Sequence, residues 1–260
     1  MHPTIDLFGF TIDSYNLMMI LGFIISLLVV LLKNKFNKDN KVNWKDICFL
    51  AVFVLFGALL GARVLYFITR IGDIKEFDDV IRFLITEGGL VFYGGVIGGV
   101  GFGILYLKIY KLDVKQFARL AIPVIPLGHA LGRIGCYLAG CCYGRLTSSE
   151  HGVHFVSLLE GEYALPVQLY EAIFLLVLFV VLFVIEQTVK IKKDFFVCGL
   201  YFTLYAIWRF IIEFYRGDEI RGIALLSTSQ WISIAMFAVG LYVIVSDLKT
   251  LKLFNVKKDN

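Results

Sequence analysis

Long apolar runs separated by short charged loops set the character of this chain. A helix needs about 20 apolar residues to cross the hydrocarbon core of a bilayer. Seven segments meet that length, roughly 14–32, 46–67, 90–110, 117–139, 166–186, 196–215 and 228–247. The polar stretches between them are too short for a separate domain. The longest, about 68–89 and 141–164, carry mixed charge and a few turn residues. The pattern predicts an all-α integral membrane protein, a single transmembrane domain over residues 1–260 built as a seven-helix bundle, with no internal repeat and no low-complexity tract.

Composition agrees, with 59% hydrophobic and 18% charged residues, a balance that excludes an ordinary soluble domain. The net charge is +4, and its distribution is more informative than its size. Loop 33–45 holds five lysines, 108–116 three, 187–195 three and the tail after 248 four. The opposite set of loops holds six basic residues: Arg70, Lys75, Arg82, Arg145, Arg216 and Arg221. The positive-inside rule then places the N-terminus outside and the C-terminus in the cytoplasm. The N-terminal "MHPTIDLFGFTIDSYN" has neither a basic start nor a small-residue cleavage site, so no removable signal peptide is expected.

Four arginines fall within or at the edges of the spans: Arg63, Arg119, Arg133 and Arg209. An arginine at mid-membrane costs at least ~2.5 kcal/mol and persists where it faces a polar cavity, a partner or a ligand. Arg119 lies near a cytoplasmic end, where snorkelling accounts for it. Arg63, Arg133 and Arg209 lie deeper, in the outer half by the orientation above. In "YAIWRFIIE", Tyr205, Arg209 and Glu213 recur every four residues on one helix face, so Arg209 can pair with Glu213. A neutralised pair that merely joins helices is the plain alternative. With Arg63, Arg133 and Glu171 of "PVQLYE" at similar depth, three cations and two anions describe a wet cavity with net positive charge, suited to an anion.

"EGGLVFYGGVIGGVGFG", residues 87–103, contains the GxxxG pairs Gly94/Gly98 and Gly95/Gly99, a signature of close helix packing. Gly94 and Gly95, beside Tyr93, would also let backbone approach a ligand. The five cysteines, Cys48, Cys136, Cys141, Cys142 and Cys198, have no CxxC spacing and too few nearby histidines for a zinc site. They read as small apolar helix residues, with oxidation of the adjacent Cys141-Cys142 pair as the alternative. Taken together, the residues describe a seven-helix protein that holds an anionic phospholipid in a cavity open to the outer leaflet, where guanidinium groups meet phosphate.

The motifs resemble those of the prolipoprotein diacylglyceryl transferase family, and the resemblance covers nearly the whole chain. "SYNLMMILGF" resembles its first-helix segment through Tyr15, and "GARVLYFI" its second-helix motif through Arg63. "GGLVFYGGVIGG" resembles its glycine-rich third-helix motif. "GRIGCYLAGCCYGR" resembles the family signature, with Arg133 and Gly144 at signature positions. "PVQLYE", with Gln168, Tyr170 and Glu171, and the Tyr205-Arg209-Glu213 series complete the match.

The resemblance implies a reaction in which a lipobox cysteine thiol of a preprolipoprotein signal peptide attacks the glycerol carbon of phosphatidylglycerol. A thioether forms and glycerol phosphate leaves. It implies a multi-pass enzyme of the bacterial cell membrane that needs no metal or organic cofactor and has no nucleic-acid partner. Arg133 and Arg209 fit a clamp on the departing phosphate, with Glu213 holding Arg209. The chain departs from the family pattern where Tyr93-Gly94-Gly95 replaces His-Gly-Gly. A phenol, with an ordinary pKa of about 10, is a poor substitute for an imidazole near ~6.5. Cys136, Ala139 and Cys141 replace signature asparagines and a glutamate, and Leu165 replaces a histidine before "PVQLYE". His129, four residues before Arg133, is either a substitute base or a structural histidine satisfied by backbone. Two other functions stay open: a paralogue with a different acceptor, and a non-catalytic protein that binds or moves phospholipid.

Overall fold

The structure, a computed structural model, describes residues 3–7, 10–37, 41–73, 89, 91–188, 195–217, 222–223 and 225–256. Its helices are α1 Ser14–Phe36, α2 Trp44–Thr69, α3 Phe92–Ile109, α4 Val114–Ala121, α5 Ile125–Ala139, α6 Val167–Thr188, α7 Phe196–Ile212 and α8 Thr228–Val256. Seven spans are long and apolar enough to cross a membrane, α4 and α5 together making one of them, Val114–Ala139. Each coincides with a segment expected from the hydrophobic pattern. Leu90, in the expected third span, lies outside the described residues. So do Lys38, Lys75, Arg82, Lys190, Lys192, Lys193, Arg221, Lys257 and Lys258 of the charged loops.

The expected span 117–139 is not one regular helix. The short, strongly amphipathic α4 passes through a 3-10 turn at Ile122–Val124 before α5 begins. Pro123 and Pro126 have no N–H to donate to the preceding turn, and Pro126 takes a place in the first turn of α5, where that N–H would be unused. Three antiparallel hairpins also appear: β1 Thr4–Leu7 with β2 Phe10–Asp13, β3 Leu146–Thr147 with β4 Tyr163–Ala164, and β5 Gly222–Ile223 with β6 Leu226–Ser227.

The chain divides into two compact units. Residues 34–117 form one, dominated by α2 against α3. Gly57 and Gly61 of α2 meet Gly94 and Gly98 of α3 so closely that a Cβ on Gly61 would strike the Gly94 carbonyl, and one on Gly98 the Gly57 carbonyl. The GxxxG expectation thus holds for Gly94/Gly98. Gly95 faces Ala58 and Ala62, where an added Cβ would meet the Ala58 carbonyl oxygen at 3.4 Å. Close packing of α3 on α2 therefore accounts for Gly94, whereas at Gly95 a Cβ would make only ordinary contact.

Residues 1–33 and 118–260 form the other unit. Here α5 packs on α6, α6 on α7, and α7 on α8. Gly199 and Gly240 let α7 and α8 approach backbone to backbone, since a Cβ on either would lie 2.8 Å from the other's carbonyl oxygen. Leu175 and Leu182 of α6 are fully buried, and Phe174 stacks on Trp208 of α7 at 4.5 Å between ring centroids. The segment between α5 and α6 is anchored by the fully buried Phe155, stacked on Tyr143 at 4.9 Å.

Candidate active site

Buried charge in the second unit gathers on α5, α6 and α7. Glu171, one turn into α6, is only 2% exposed and would be costly there without partners. It has three. Arg133 of α5 brings Nε to 3.1 Å from Glu171 Oε2. Tyr205 of α7 donates its hydroxyl to Glu171 Oε1 at 3.1 Å. His129 of α5 places Nε2 at 3.8 Å from the same Oε1, its ring edge-on to Tyr205 at 5.3 Å. His129 and Arg133, four residues apart, share a helix face, as their spacing predicted. His129 thus has a carboxylate within ion-pair distance on its Nε2 side.

A second pair lies on α7. Arg209 Nη2 is 2.8 Å from Glu213 Oε2, the expected one-turn pairing, and also donates to Ser229 Oγ of α8 at 3.0 Å. Glu213 stands where α7 tightens into a 3-10 turn, Glu213–Tyr215. Arg209 Nη1 is buried and has no hydrogen-bond partner among the described residues. Both guanidinium groups bear electrostatically on His129 and on Tyr205. Within this unit the two arginines are balanced by two carboxylates. Arg63 belongs to the other unit, where its Nη1 donates to the Gly89 carbonyl at 3.0 Å. Tyr93, in the first turn of α3, is half-exposed in that same unit.

The remaining expected residues frame the loop after α5. Gln168, 1% exposed, donates from Nε2 to the Cys141 carbonyl at 2.7 Å. Gly144 donates its N–H to the Leu165 carbonyl at 2.8 Å, and its lack of a side chain is required, because a Cβ would lie 2.7 Å from Val167 Cγ1. Tyr15 of α1 sits beside Gly135 of α5, within electrostatic reach of Arg133. Tyr170, half-exposed, follows Gln168 on α6.

Sequence reasoning missed two features. Ser229 was not singled out, although a run of hydroxyls, Ser227, Thr228, Ser229 and Ser233, opens an otherwise apolar span. The structure also gathers Cys136 with the adjacent Cys141-Cys142 pair, a three-thiol cluster that the spacing does not encode. The neighbouring Cys136 and Cys141 thiols, with Arg216 and Arg133 nearby, hold the Cys142 thiol below its ordinary range. An apolar groove of about 210 Å³ runs along α7 and α8, lined by Ile207, Phe210, Ile211, Ile234 and Phe237. Chemically, the site offers a guanidinium N–H with no hydrogen-bond partner among the described residues for an anion, and a histidine beside a carboxylate.

Residues 3–246 match the family model described as prolipoprotein diacylglyceryl transferase. The chain is 35% identical over 241 residues to the phosphatidylglycerol–prolipoprotein diacylglyceryl transferase of Clostridium tetani, covering 92% of this chain and 94% of that one. It is 35% identical over 243 residues to phosphatidylglycerol–prolipoprotein diacylglyceryl transferase 2 of Clostridium perfringens, with 91% of each chain covered. A Rickettsia conorii protein, also named phosphatidylglycerol–prolipoprotein diacylglyceryl transferase, is 34% identical over 240 residues, with 89% of each covered.

Proposed function

The chain belongs to the prolipoprotein diacylglyceryl transferase family, and on that premise we propose that it moves the diacylglyceryl group of phosphatidylglycerol to the lipobox cysteine of a preprolipoprotein. It is a multi-pass membrane protein. Its place is the bacterial plasma membrane, as one transmembrane domain with the N-terminus outside. The observation that carries the reading is the buried, unpartnered Nη1 of Arg209, on a guanidinium already oriented by Glu213 and Ser229.

The proposed step breaks the bond between the glycerol carbon and the phosphate oxygen and forms a carbon–sulfur bond. The phosphodiester carries one negative charge, and the departing glycerol phosphate gains a second as its electron pair leaves with oxygen. The thiol proton goes to a base. Guanidinium N–H groups aimed at the phosphate therefore bind the transition state more tightly than the ground state, which is the condition for catalysis. Arg209 acts directly on that oxygen and Arg133 assists from α5, held by Glu171. His129 takes the proton, and Glu171 beside it stabilises the imidazolium that results. The groove of Ile207, Phe210 and Phe237 receives an acyl chain.

The test is mass spectrometry of a synthetic lipobox peptide after incubation with the purified protein and phosphatidylglycerol. The expected product carries diacylglycerol on sulfur, with glycerol phosphate released in equal amount. Lipid exchange without thioether formation would refute the transferase reading. Modification of a different acceptor would assign the protein to another reaction.

A further inference from the structure

At the end of α5 the Sγ atoms of Cys136, Cys141 and Cys142 all lie within 4.8 Å of one another. Sequence spacings of five and six residues do not produce this by themselves. The backbone does. Gly140 closes α5 in the left-handed region at φ 71°, and the Cys141 N–H returns to the Cys136 carbonyl at 3.1 Å. Cys142 is itself left-handed, at φ 63°, a conformation that strains a residue with a Cβ. The turn is tied from outside by Gln168 on the Cys141 carbonyl and by Ser157 Oγ, which donates to the Gly140 carbonyl at 3.2 Å. The three sulfurs are thus gathered by a supported turn with a strained residue in it. All three are free thiols.

A thiolate binds zinc at about 2.3 Å, and at that length three sulfurs around one ion stand about 4 Å apart. Small side-chain rotations close the present spacing to that value. Among the described residues no histidine or carboxylate joins the group, so the ligand set is three sulfurs. Three thiolates without a fourth ligand suit a soft d10 ion. We propose that Cys136, Cys141 and Cys142 form a binding site for a thiophilic, three-coordinate metal ion of the Cu(I) class. Binding releases each thiol proton to solvent. One monovalent ion with three thiolates carries two negative charges, and Arg216 and Arg133 both lie within electrostatic reach of Cys142. Cys141 and Cys142 are exposed and give the ion a way in, while buried Cys136 closes the inner side. The site has Arg133 as a neighbour in common with the proposed active site, and its test reads metal binding, which is separate from transfer.

The full-length protein, purified in detergent with a non-thiol reductant under nitrogen, would be titrated with Cu(I) against a chromophoric Cu(I) chelator. One ion per chain is expected, with about three sulfur neighbours at ~2.3 Å by X-ray absorption. Cys141→Ser, at an exposed position, should weaken binding at least tenfold, and so should Cys136→Ala. The Cys48→Ser/Cys198→Ser double variant should bind as the parent does. The exposed variant carries the test even if Cys136→Ala fails to fold. Failure of the parent to take up an ion, or parental affinity in Cys141→Ser, would overturn the proposal. Zn2+ binding more tightly than Cu(I) would overturn the three-coordinate assignment.

Discussion

Two carboxylates hold two arginines, and they do so at different depths. Glu171 is almost fully enclosed and serves Arg133, Tyr205 and His129, whereas Glu213, at 16% side-chain exposure, pairs with Arg209. Removing one partner of a buried pair strands the other charge, at a cost of about 3–5 kcal/mol when burial is complete. Glu171→Gln should therefore lower the melting temperature in detergent more than Glu213→Gln, and equal shifts would contradict the burial argument. For the arginines the expected loss is catalytic. Arg133→Ala and Arg209→Ala should each reduce transfer roughly 100-fold or more, on the scale of losing one donor to a developing anion, and Arg133→Ala should also lower the melting temperature because it strands the buried Glu171. Lysine should rescue Arg209 poorly, because a single ammonium cannot hold Glu213 and Ser229 while presenting another N–H. Near-parental turnover by Arg209→Lys would remove the clamp. His129→Ala should be more damaging at neutral pH than Tyr93→Phe, with the gap narrowing as pH rises and the peptide thiol ionises unaided. Initial rates across a pH series decide this, and the reverse order would move the base to Tyr93. Of these residues, the sequence makes the Arg209–Glu213 pair legible through spacing within one helix. The pairing of Arg133 with Glu171 is tertiary, between α5 and α6, and no spacing encodes it. The cysteine cluster stays hidden for a related reason, since a left-handed turn brings its members together.

The seven spans are legible because hydrophobic length alone selects them, and α2 and α3 add a second readable feature in their glycines. The details that escape the pattern are those settled by single residues or short pairings. Pro123 breaks the expected fourth span into α4 and α5, and hairpins with strands as short as two residues leave no periodic trace. The glycine contacts also make a sharp prediction within one helix. At Gly98 an added Cβ meets the Gly57 carbonyl, part of a backbone that cannot step aside without separating α2 from α3. At Gly101, on the same helix, an added Cβ meets nothing within 4 Å. Gly98→Ala should thus destabilise the protein by about 1 kcal/mol or more, as overpacking does. Gly101→Ala should be neutral or stabilising by up to about 1 kcal/mol, the helix preference of alanine over glycine. Thermal melts in one detergent compare them directly, and equal behaviour would mean that the α2–α3 contact is looser than the structure has it.

At the scale of the whole molecule, fifteen of the twenty-five basic residues fall in one set of loops, which argues that those loops stay in the cytoplasm. The turn carrying Cys141 and Cys142 follows α5 on the opposite side, and the reaction proposed for this chain needs its site on that side if the peptide arrives already translocated. Cys48, near the start of α2, and Cys198, near the start of α7, follow lysine-rich loops and should face inward. Thiol labelling separates the two sides. In intact cells, a membrane-impermeant maleimide added with a metal chelator should label the chain, and Cys141→Ser/Cys142→Ser should abolish that labelling. A chain retaining only Cys48 and Cys198 should react only after the membrane is opened. Labelling of that chain in sealed cells, with Cys141 protected, would invert the topology. Inversion would also place Arg133, Glu171 and Arg209 nearer the cytoplasmic leaflet, and the acceptor would then have to be a peptide met before export. The labelling pattern thus fixes which leaflet supplies the phospholipid as well as which way the helices run.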